Sequence, residues 1–367
     1  MKSKQALVPK LRFGELQGEW LVHRLGEICS TFQSGKGITS SQIKDSDTYP
    51  VFGGNGLRGY TDTFTHEGFY FLIGRQGALC GNINRTTQKC YVSEHAIAVQ
   101  GGNLTDTEWL AQRLDYYNLN RLSESSAQPG LSAEKLKRLK LATPSLPEQE
   151  KIAAFLTSVD DRIDQLKRKK SLLQDYKKGA MQKLFSQELR FKDEQGKDFP
   201  DWEEKKLGEV AELYQPKTIS QTDLTPEGYT VYGANGIIGK YHSFNHEKSQ
   251  VTVTCRGSTC GVIGYTEPRS WITGNAMVVN LDECADSTKT FVYHALCATD
   301  LRYLITGSGQ PQITGNLKGH KIGYPSLPEQ TKIANFLSSL DRKIEQIDTQ
   351  ITQTQNFKKG LLQQMFV

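Results

Sequence analysis

The chain has 367 residues, enough for two or three domains with separate cores. Hydrophobic residues make up 37% and charged residues 23%, which excludes a disordered chain. Lys and Arg number 45 against 40 Asp and Glu, and the net charge of +5 is compatible with nucleic acid without proving it. No apolar run of about 18 residues exists, so no membrane span is expected. The start, Met-Lys-Ser-Lys-Gln-Ala-Leu, does not read as a secretory signal. Seven dilute cysteines point to free thiols in a reducing cytoplasm.

In chain order, each segment of the first half returns in the second. Leu11-Arg12-Phe13 recurs as Leu189-Arg190-Phe191, and WLVHRLGEI (Trp20 to Ile28) as WEEKKLGEV (Trp202 to Val210). YPVFGGNGLRGY (Tyr49 to Tyr60) recurs as YTVYGANGIIGK (Tyr229 to Lys240). PSLPEQEKIAAFL (Pro144 to Leu156) matches PSLPEQTKIANFL (Pro325 to Leu337) at eleven of thirteen positions, at an offset of 181. YKKGAMQKLF (Tyr176 to Phe185) follows as FKKGLLQQMF (Phe357 to Phe366) at the same offset. This is a tandem duplication, with too long a period and too few copies for a solenoid.

Each copy has two parts. The first, Leu21 to Thr143 and Glu203 to Tyr324, is rich in Gly, Thr and Tyr and in short strand-like runs bounded by turn residues. A helix is expected to close each globule, with Leu110, Leu114 and Tyr117 on one face in the first and Val292, Leu296 and Leu301 in the second. The fold class is therefore α+β.

The second part of each copy is a long helix. Ile152, Leu156, Val159, Ile163, Leu166, Leu173, Ala180 and Leu184 keep 4-3 spacing, with Lys170 and Lys177 in the two remaining slots. The second series is Ile333, Leu337, Leu340, Ile344, Ile347, Ile351, Thr354, Lys358, Leu361 and Met365. This is the signature of a coiled-coil seam. Ser145 and Ser326 are candidate caps, with Pro147 and Pro328 in the first turn. The 38 residues from Glu148 to Phe185 would make a rod of roughly 57 Å. A rod with one apolar stripe needs a partner, and the other copy is the nearest. The expected architecture is two globular domains joined by two long helices in an antiparallel coiled coil, with an internal pseudo-two-fold. The boundaries are 1–143, 144–186, 187–324 and 325–367, and the two globules are expected at opposite ends.

Between the shared frame positions the globules diverge: Thr61 to Gln100 and Tyr241 to Asn280 share little. Two reading heads for different targets would diverge in this way, and a structural spacer would not need to. The doubled pattern resembles the specificity subunit of a type I restriction-modification system. The resemblance rests on the Leu-Pro-Glu-Gln-x-Lys-Ile-Ala-x-Phe-Leu blocks at 146–156 and 327–337. It rests also on Lys177-Lys178-Gly179 and Lys358-Lys359-Gly360, and on the Trp…Leu-Gly-Glu starts at Trp20 and Trp202. It implies that the globules are target-recognition domains, each reading one half of a bipartite sequence in double-stranded DNA. It implies further that the helices set the spacing and dock two copies of a DNA-methylating subunit, which a translocating restriction subunit then joins. Adenine methylation, cofactor binding and ATP use would belong to those partners, leaving this chain non-catalytic and without a cofactor or metal.

Candidate DNA contacts are basic or amide side chains beside Gly-rich turns, where a backbone can come close. In the first globule these are Lys36, Asn55, Arg58, Arg75 and Gln76; in the second, Lys217, Asn235, Lys240, Arg256 and Ser258. Arg pairs with guanine, and Asn or Gln with adenine. Asn55 and Asn235 share a repeat position beside Gly, so both also read as turn formers. Arg75 and Arg256 are read as aligned, which favours phosphate positioning, while Lys36, Arg58 and Lys240 are read as unmatched and suited to choosing a sequence. The loops Gln128-Pro129 and Gln310-Pro311 either brace each globule on its helix, the favoured reading, or touch DNA. Lys167-Arg168-Lys169-Lys170 reads as a solvated helix face or a local phosphate contact, its counterpart Asp348-Thr349-Gln350-Ile351 not being basic. Phe155, Leu172, Tyr176, Phe336 and Phe357 lie outside the seam, as a docking surface for partners or as packing against the globules.

Several chemistries have no motif. The Asn/Asp-Pro-Pro-Tyr/Phe tetrapeptide of adenine methylation is absent, and Ser34-Gly35-Lys36-Gly37 lacks the hydroxyl and leading Gly of a Walker A loop. Asp201 with Glu204-Lys205-Lys206 is too crowded for a nuclease centre and reads as a charged entry to a strand. His242, His246, Cys255 and Cys260 have zinc-ligand chemistry. The first copy keeps only His66 and Cys80, with Asp62 and Gly74 read at the other two places, so buried cysteine is the better account.

Overall fold

The computed structural model describes residues 7–123, 129–234, 236–307 and 310–367. The first copy runs β1 (Leu21–Arg24), β2 (Cys29–Ser34), β3 (Tyr49–Gly53), β4 (Gly56–Thr61), β5 (Tyr70–Gly74), β6 (Ile83–Thr86), β7 (Tyr91–Val92) and β8 (Ala96–Gly101). Helices α1 (Thr107–Tyr117) and α2 (Ala133–Lys137), strand β9 (Lys140–Thr143) and the long helix α3 (Leu146–Phe185) follow. The second copy begins with β10 (Glu203–Lys206), α4 (Leu207–Val210), β11 (Glu212–Tyr214), β12 (Tyr229–Gly233) and β13 (Gly236–Tyr241). It continues with β14 (Val251–Thr254), β15 (Ile263–Tyr265), β16 (Trp271–Ile272), β17 (Ala276–Asn280), α5 (Lys289–Cys297), β18 (Lys321–Tyr324) and α6 (Leu327–Met365).

Strand order is the same in the two copies. A four-stranded sheet runs β2-β8-β5-β6 in the first and β11-β17-β14-β15 in the second. A three-stranded sheet runs β4-β3-β7 and β13-β12-β16, and the strand pairs β1-β9 and β10-β18 complete each set. The divergent stretches therefore keep one backbone plan and change its side chains. β5 is buried on both faces, and its period of two sends its residues into different cores. Phe71 and Ile73 join Ile97, Val99, Trp109 and Leu110 in the main core, while Leu72 packs with Val92, Ala96 and Ala98. In the second copy Val251, Val253, Met277 and Val279 face Phe291 and Val292, and Ala276 and Val278 face Ile272.

Helix α1 starts where the Asp106 carboxylate accepts the Trp109 N–H at 2.7 Å, and it ends at Asn118 in the left-handed region. Thr288 caps α5 in the same way through the Phe291 N–H (3.3 Å). Leu301, expected on α5, instead lies in a separate 3-10 turn, Leu301–Leu304, although it remains in the core.

The chain divides into two compact units, one comprising the residues up to Leu166 with Gln350–Val367, the other Lys167–Thr349. In the first unit Ile152, Leu156, Val159 and Ile163 share a core with Leu361, Met365 and Phe366, and Lys358 pairs with Asp160 at 2.7 Å. In the second, Leu184 shares a core with Ile333, Leu337 and Leu340. Lys177 pairs there with Asp341, and Lys170 with Asp348 at 2.5 Å. Seven residues back along α3 answer seven forward along α6, so the helices run antiparallel. The three lysines in the apolar stripe are thus paired across the seam, where a polar residue fixes register. Lys170 is thereby taken out of the solvated face expected for the basic run.

The helix starts differ from expectation. The Ser145 carbonyl accepts the N–H groups of Glu148 and Gln149, and the Ser326 carbonyl that of Gln330, so these serines act through backbone, and Ser326 Oγ is buried without a partner. The leaders also have a defined place. Arg12 grips Glu148 with Nε and Nη2 (2.8 and 2.6 Å), and Trp20 Nε1 donates to the same carboxylate at 3.3 Å. Arg190, Glu329 and Trp202 repeat this at 3.2, 2.8 and 3.0 Å. Phe13 packs edge-on against Phe155 and Phe191 against Phe336, with centroids 6.2 and 5.7 Å apart. Phe155 and Phe336 are therefore covered by the leaders, while Leu172, Tyr176 and Phe357 remain exposed.

Candidate nucleic-acid interface

The five residues singled out in the first copy gather around one turn, Ser93-Glu94-His95, which joins β7 to β8. The Lys36 N–H donates to Val92 O at 2.9 Å, and its carbonyl accepts the Glu94 N–H at 3.1 Å. Arg75 donates its N–H to His95 O (2.9 Å) and its Nη1 to Glu94 O (3.1 Å). Gln76 Oε1 meets His95 Nδ1 at 3.1 Å. Arg58 lies across Gly53, where a Cβ would sit 2.5 Å from Arg58 Cδ and 3.6 Å from Ser93 Oγ. Asn55 occupies the hairpin tip next to Gly54, where a Cβ would come within 3.0 Å of His95 O. Lys36, Asn55, Arg58 and Gln76 are exposed and Arg75 is half-buried.

The tip is set by local chemistry. Gly53 pairs with Gly56 across the two-residue turn Gly54-Asn55, and Gly56 has φ +97°. Asn55 thus combines the turn position with an exposed side chain. Asn235, its counterpart, lies outside the described residues.

In the second copy the equivalent turn is Thr273-Gly274-Asn275. Cys255 donates its N–H to Asn275 O at 3.0 Å, as Arg75 does to His95. A Cβ on Gly274 would meet Thr218 Oγ1 at 2.6 Å and Pro216 O at 2.7 Å, which brings Lys217 to this turn. Arg256 and Ser258 are exposed on the following loop. Lys240 is not part of the group. It pairs with Thr230 at the far end of the hairpin, where its Nζ donates to Thr230 Oγ1 at 3.1 Å.

Strand pairing corrects the sequence alignment at three places. Cys80 N–H donates to Gly77 O and Cys260 N–H to Gly257 O, while Gln76 bridges to Gly130 and Arg256 to Gln312. Gln76, not Arg75, is therefore the counterpart of Arg256, and Arg75, not Gly74, that of Cys255. Phe32 pairs with Val99 and Leu213 with Val279, and Thr39 and Ser220 begin matching 3-10 turns. Lys36 thus coincides with Lys217, so the lysine read as unmatched is present in both copies. The offset between the copies changes from 181 at Thr39 and Ser220 to 180 at Tyr49 and Tyr229, within the loop after β2 and β11, where no motif marks it.

The proline loops also act elsewhere than expected. Pro129 O accepts the Gly77 N–H (2.9 Å) and Pro311 O the Gly257 N–H (3.1 Å), so they brace the loops that follow β5 and β14. Gln128 lies outside the described residues. The zinc reading is not supported: no group of three or more metal-binding side chains occurs among the described residues. Both ring nitrogens of His246 are in hydrogen bonds, Nε2 with the Tyr214 hydroxyl and Nδ1 with Asn245 Oδ1. Burial, and secondarily the Lys36 charge, pulls the His66 pKa below its ordinary value and keeps that ring neutral.

Three kinds of residue escaped the sequence reading. His95 and Asn275 are the last residues of the two turns, and the repeat itself would have paired them. Asn84 of the first copy lies against the hairpin, its Oδ1 3.2 Å from where a Cβ on Gly56 would sit, and Asn82 and Asn84 stand where the second copy has Val262 and Gly264: Leu72 pairs with Asn84, and Thr252 with Gly264. Gln149 and Gln330, completely buried, tie each long helix to its globule. Gln149 Oε1 accepts the Asp106 N–H and Gln330 Oε1 the Thr288 N–H, each just ahead of α1 or α5.

The duplicated sheets, paired long helices and repeated loop clusters define a tandem recognition scaffold. Residues 17–174 and 200–354 each match the type I restriction modification DNA specificity domain, and the chain belongs to that family. It is 42% identical over 154 residues to the Escherichia coli type I restriction enzyme EcoprrI specificity subunit. That match covers 41% of this chain and 38% of the E. coli protein, so less than two thirds of that relative is spanned. It is 26% identical over 334 residues to a putative type I specificity subunit of Mycoplasma pneumoniae, covering 87% and 88% of the two chains. Among solved structures, the S subunit of a type I restriction-modification system from M. genitalium matches with TM-score 0.76 at 20% identity, over 98% of this chain and 99% of that one. No helix among the described residues is long and apolar enough to cross a membrane.

Proposed function

We propose that the chain is the non-catalytic, sequence-reading subunit of a type I restriction-modification enzyme, working in the cytoplasm. Each copy reads one half of a bipartite, asymmetric target in double-stranded DNA. The observation that carries this reading is that one loop cluster is built twice on one backbone plan with different exposed side chains. Gln76 is exchanged for Arg256, Arg58 for Ile238 and His95 for Asn275. Lys36 and Lys217, equal in the two copies, suit a phosphate, which every sequence presents. The exchanged positions suit bases.

Methyl transfer and any ATP-driven cleavage belong to two copies of a methylating subunit and to a restriction subunit. Leu172, Tyr176 and Phe357, exposed at 61%, 57% and 55% on the long helices, are the apolar surface offered to them.

The test is sequencing of modified bases in the source strain, with the native gene and with Gln76→Arg and Arg58→Ile in the first copy. The expected result is a bipartite modified motif in which one half changes and the other is kept. A native strain without an interrupted motif, or a motif indifferent to both substitutions, would remove the proposal. Leu172→Glu should weaken retention of the methylating subunit without changing the motif.

A further inference from the structure

In each copy one side chain of the hairpin's return strand is turned back by a bulge. Arg58 is the extra residue between the pairs Val51–Gly59 and Phe52–Leu57, and Ile238 the extra residue between Val231–Gly239 and Tyr232–Ile237. Bulges re-aim a side chain and recur beside functional sites. Each of these two lies across the glycine that closes the turn: a Cβ on Gly53 would meet Arg58 Cδ at 2.5 Å, and one on Gly233 would meet Ile238 Cδ1 at 3.1 Å.

Corresponding positions of the hairpin and the neighbouring strand differ in character. The first copy has Arg58, Asn82 and Asn84; the second has Ile238, Val262 and Gly264. A cleft of about 530 Å³ opens in the second copy between the hairpin and the β14–β15 edge. Ile237, Val262 and Tyr265 line it together with Thr252, Thr254 and Thr259. The Thr254 and Thr259 hydroxyls donate to Ala234 O at 2.7 and 3.3 Å, so they tie the hairpin to the end of β14 and the loop after it. Ile237, Ile238 and Val262 are 60%, 45% and 55% exposed, unusually open for branched apolar side chains.

We propose that this cleft reads thymine, taking the 5-methyl group at the major-groove edge of the second half-site. The first copy, with Arg58 and the two asparagines at the same place, reads purines by hydrogen bonds. The inference rests on the DNA-reading function proposed above. Three features select this occupant. Among the described residues no carboxylate lines the cleft, as suits an approaching polyanion. Thr259, which lines the cleft, directly follows the exposed Arg256 and Ser258 in the loop after β14. The two open branched side chains in the cleft, Ile237 and Val262, are few for a protein partner, which needs about 800 Å² on each side, but they match the projecting methyl that marks thymine in the major groove.

The test uses the assembled complex of this chain with its methylating subunit, on duplexes carrying the strain's own modified motif. Thymines of the second half-site are replaced one at a time by deoxyuridine, which removes the methyl group and nothing else. Binding is expected to weaken about fourfold at each contacted thymine, the worth of burying one methyl group. Ile237→Ser with Val262→Ser, both surface changes, should bind the thymine duplex more weakly and lose the discrimination against uracil. A second half-site without thymine, or equal binding of thymine and uracil duplexes by a complex that keeps its bipartite preference, overturns this inference alone. A double variant that keeps the motif but releases another subunit overturns it in favour of a protein-docking surface. A native complex with no sequence preference overturns the proposed function, and this inference with it.

Discussion

Arg12 holds Glu148 through two parallel hydrogen bonds of 2.8 and 2.6 Å, with the carboxylate 1% exposed on its side chain. Trp20 Nε1 completes the contact, and the same three residue types repeat as Arg190, Glu329 and Trp202. The leader, the first strand and the long helix of each copy thus meet at one buried carboxylate. Such a pair is strong only while both partners are present.

Glu148→Ala should therefore strand the Arg12 guanidinium and the Trp20 N–H. Losing one partner of a buried pair costs about 3–5 kcal/mol. That should lower melting of the first unit by roughly 6–20 °C in calorimetry. Glu329→Ala should do the same to the second. Unchanged melting in either variant would show that the pair adds nothing net to folding.

Lys36 and Lys217 occupy one position in the two copies, and each is exposed. If each neutralises one phosphate, Lys36→Ala should reduce the slope of log K against log salt by about 1, and the double variant by about 2. The modified motif should not change. A changed motif with an unchanged slope would make these lysines base readers.

Gly35 and Gly37 flank Lys36 under different constraints. A Cβ on Gly35 would lie 2.2 Å from Val92 O and 2.4 Å from Ser93 O, while one on Gly37 meets nothing within 4 Å. Gly35→Ala must push the strand end off the Ser93–His95 turn and should cost about 1–3 kcal/mol, with weaker reading of the first half-site. Gly37→Ala should leave stability and motif as they are. Thermal melting and modified-base sequencing of the two variants separate these outcomes.

His294 is buried beside Ser338, Asp341 and Lys177. Burial first, and the Lys177 charge second, lower its pKa from 6.5 to about 4, against the pull of Asp341. The unfolded chain then binds a proton on this residue at a pH where the folded one does not. The resulting stability is complete above pH 6.5 and is lost as the pH falls toward about 4. The loss should reach about 3 kcal/mol. Gln112 takes the same place in the first copy, where its Nε2 donates to Asp160 at 2.9 Å. His294→Gln should flatten the acid limb of a denaturation-against-pH curve by that amount. A variant with the wild-type slope would exclude His294 as its source.

Much of this molecule was legible before folding was considered. The repeat offset is contiguous text, and the 4-3 stripe of Ile152 to Leu184 follows from helical geometry alone. The Gly53–Gly56 turn could be read likewise, since a tight hairpin needs glycine there. Other residues misled for a physical reason. Glu148 and Gln149 read as the polar first turn of a helix, yet both are buried, because the leader and the start of α1 close over them. Phe155 reads either as a docking surface or as packing against a globule, and Phe13 covers it from far along the chain.

The sequence by itself determined the duplication, the long paired helices and the list of exposed basic and amide residues near glycine turns. These depend on local periodicity and composition, which each segment carries within itself. Only tertiary structure decided that Lys36, Arg58, Arg75 and Gln76 meet around one turn, that Lys240 stands apart, and that Gln76 rather than Arg75 answers Arg256. Those relations depend on which strands pair and in what register, and a slip of one residue along a strand exchanges every side chain that faces the site.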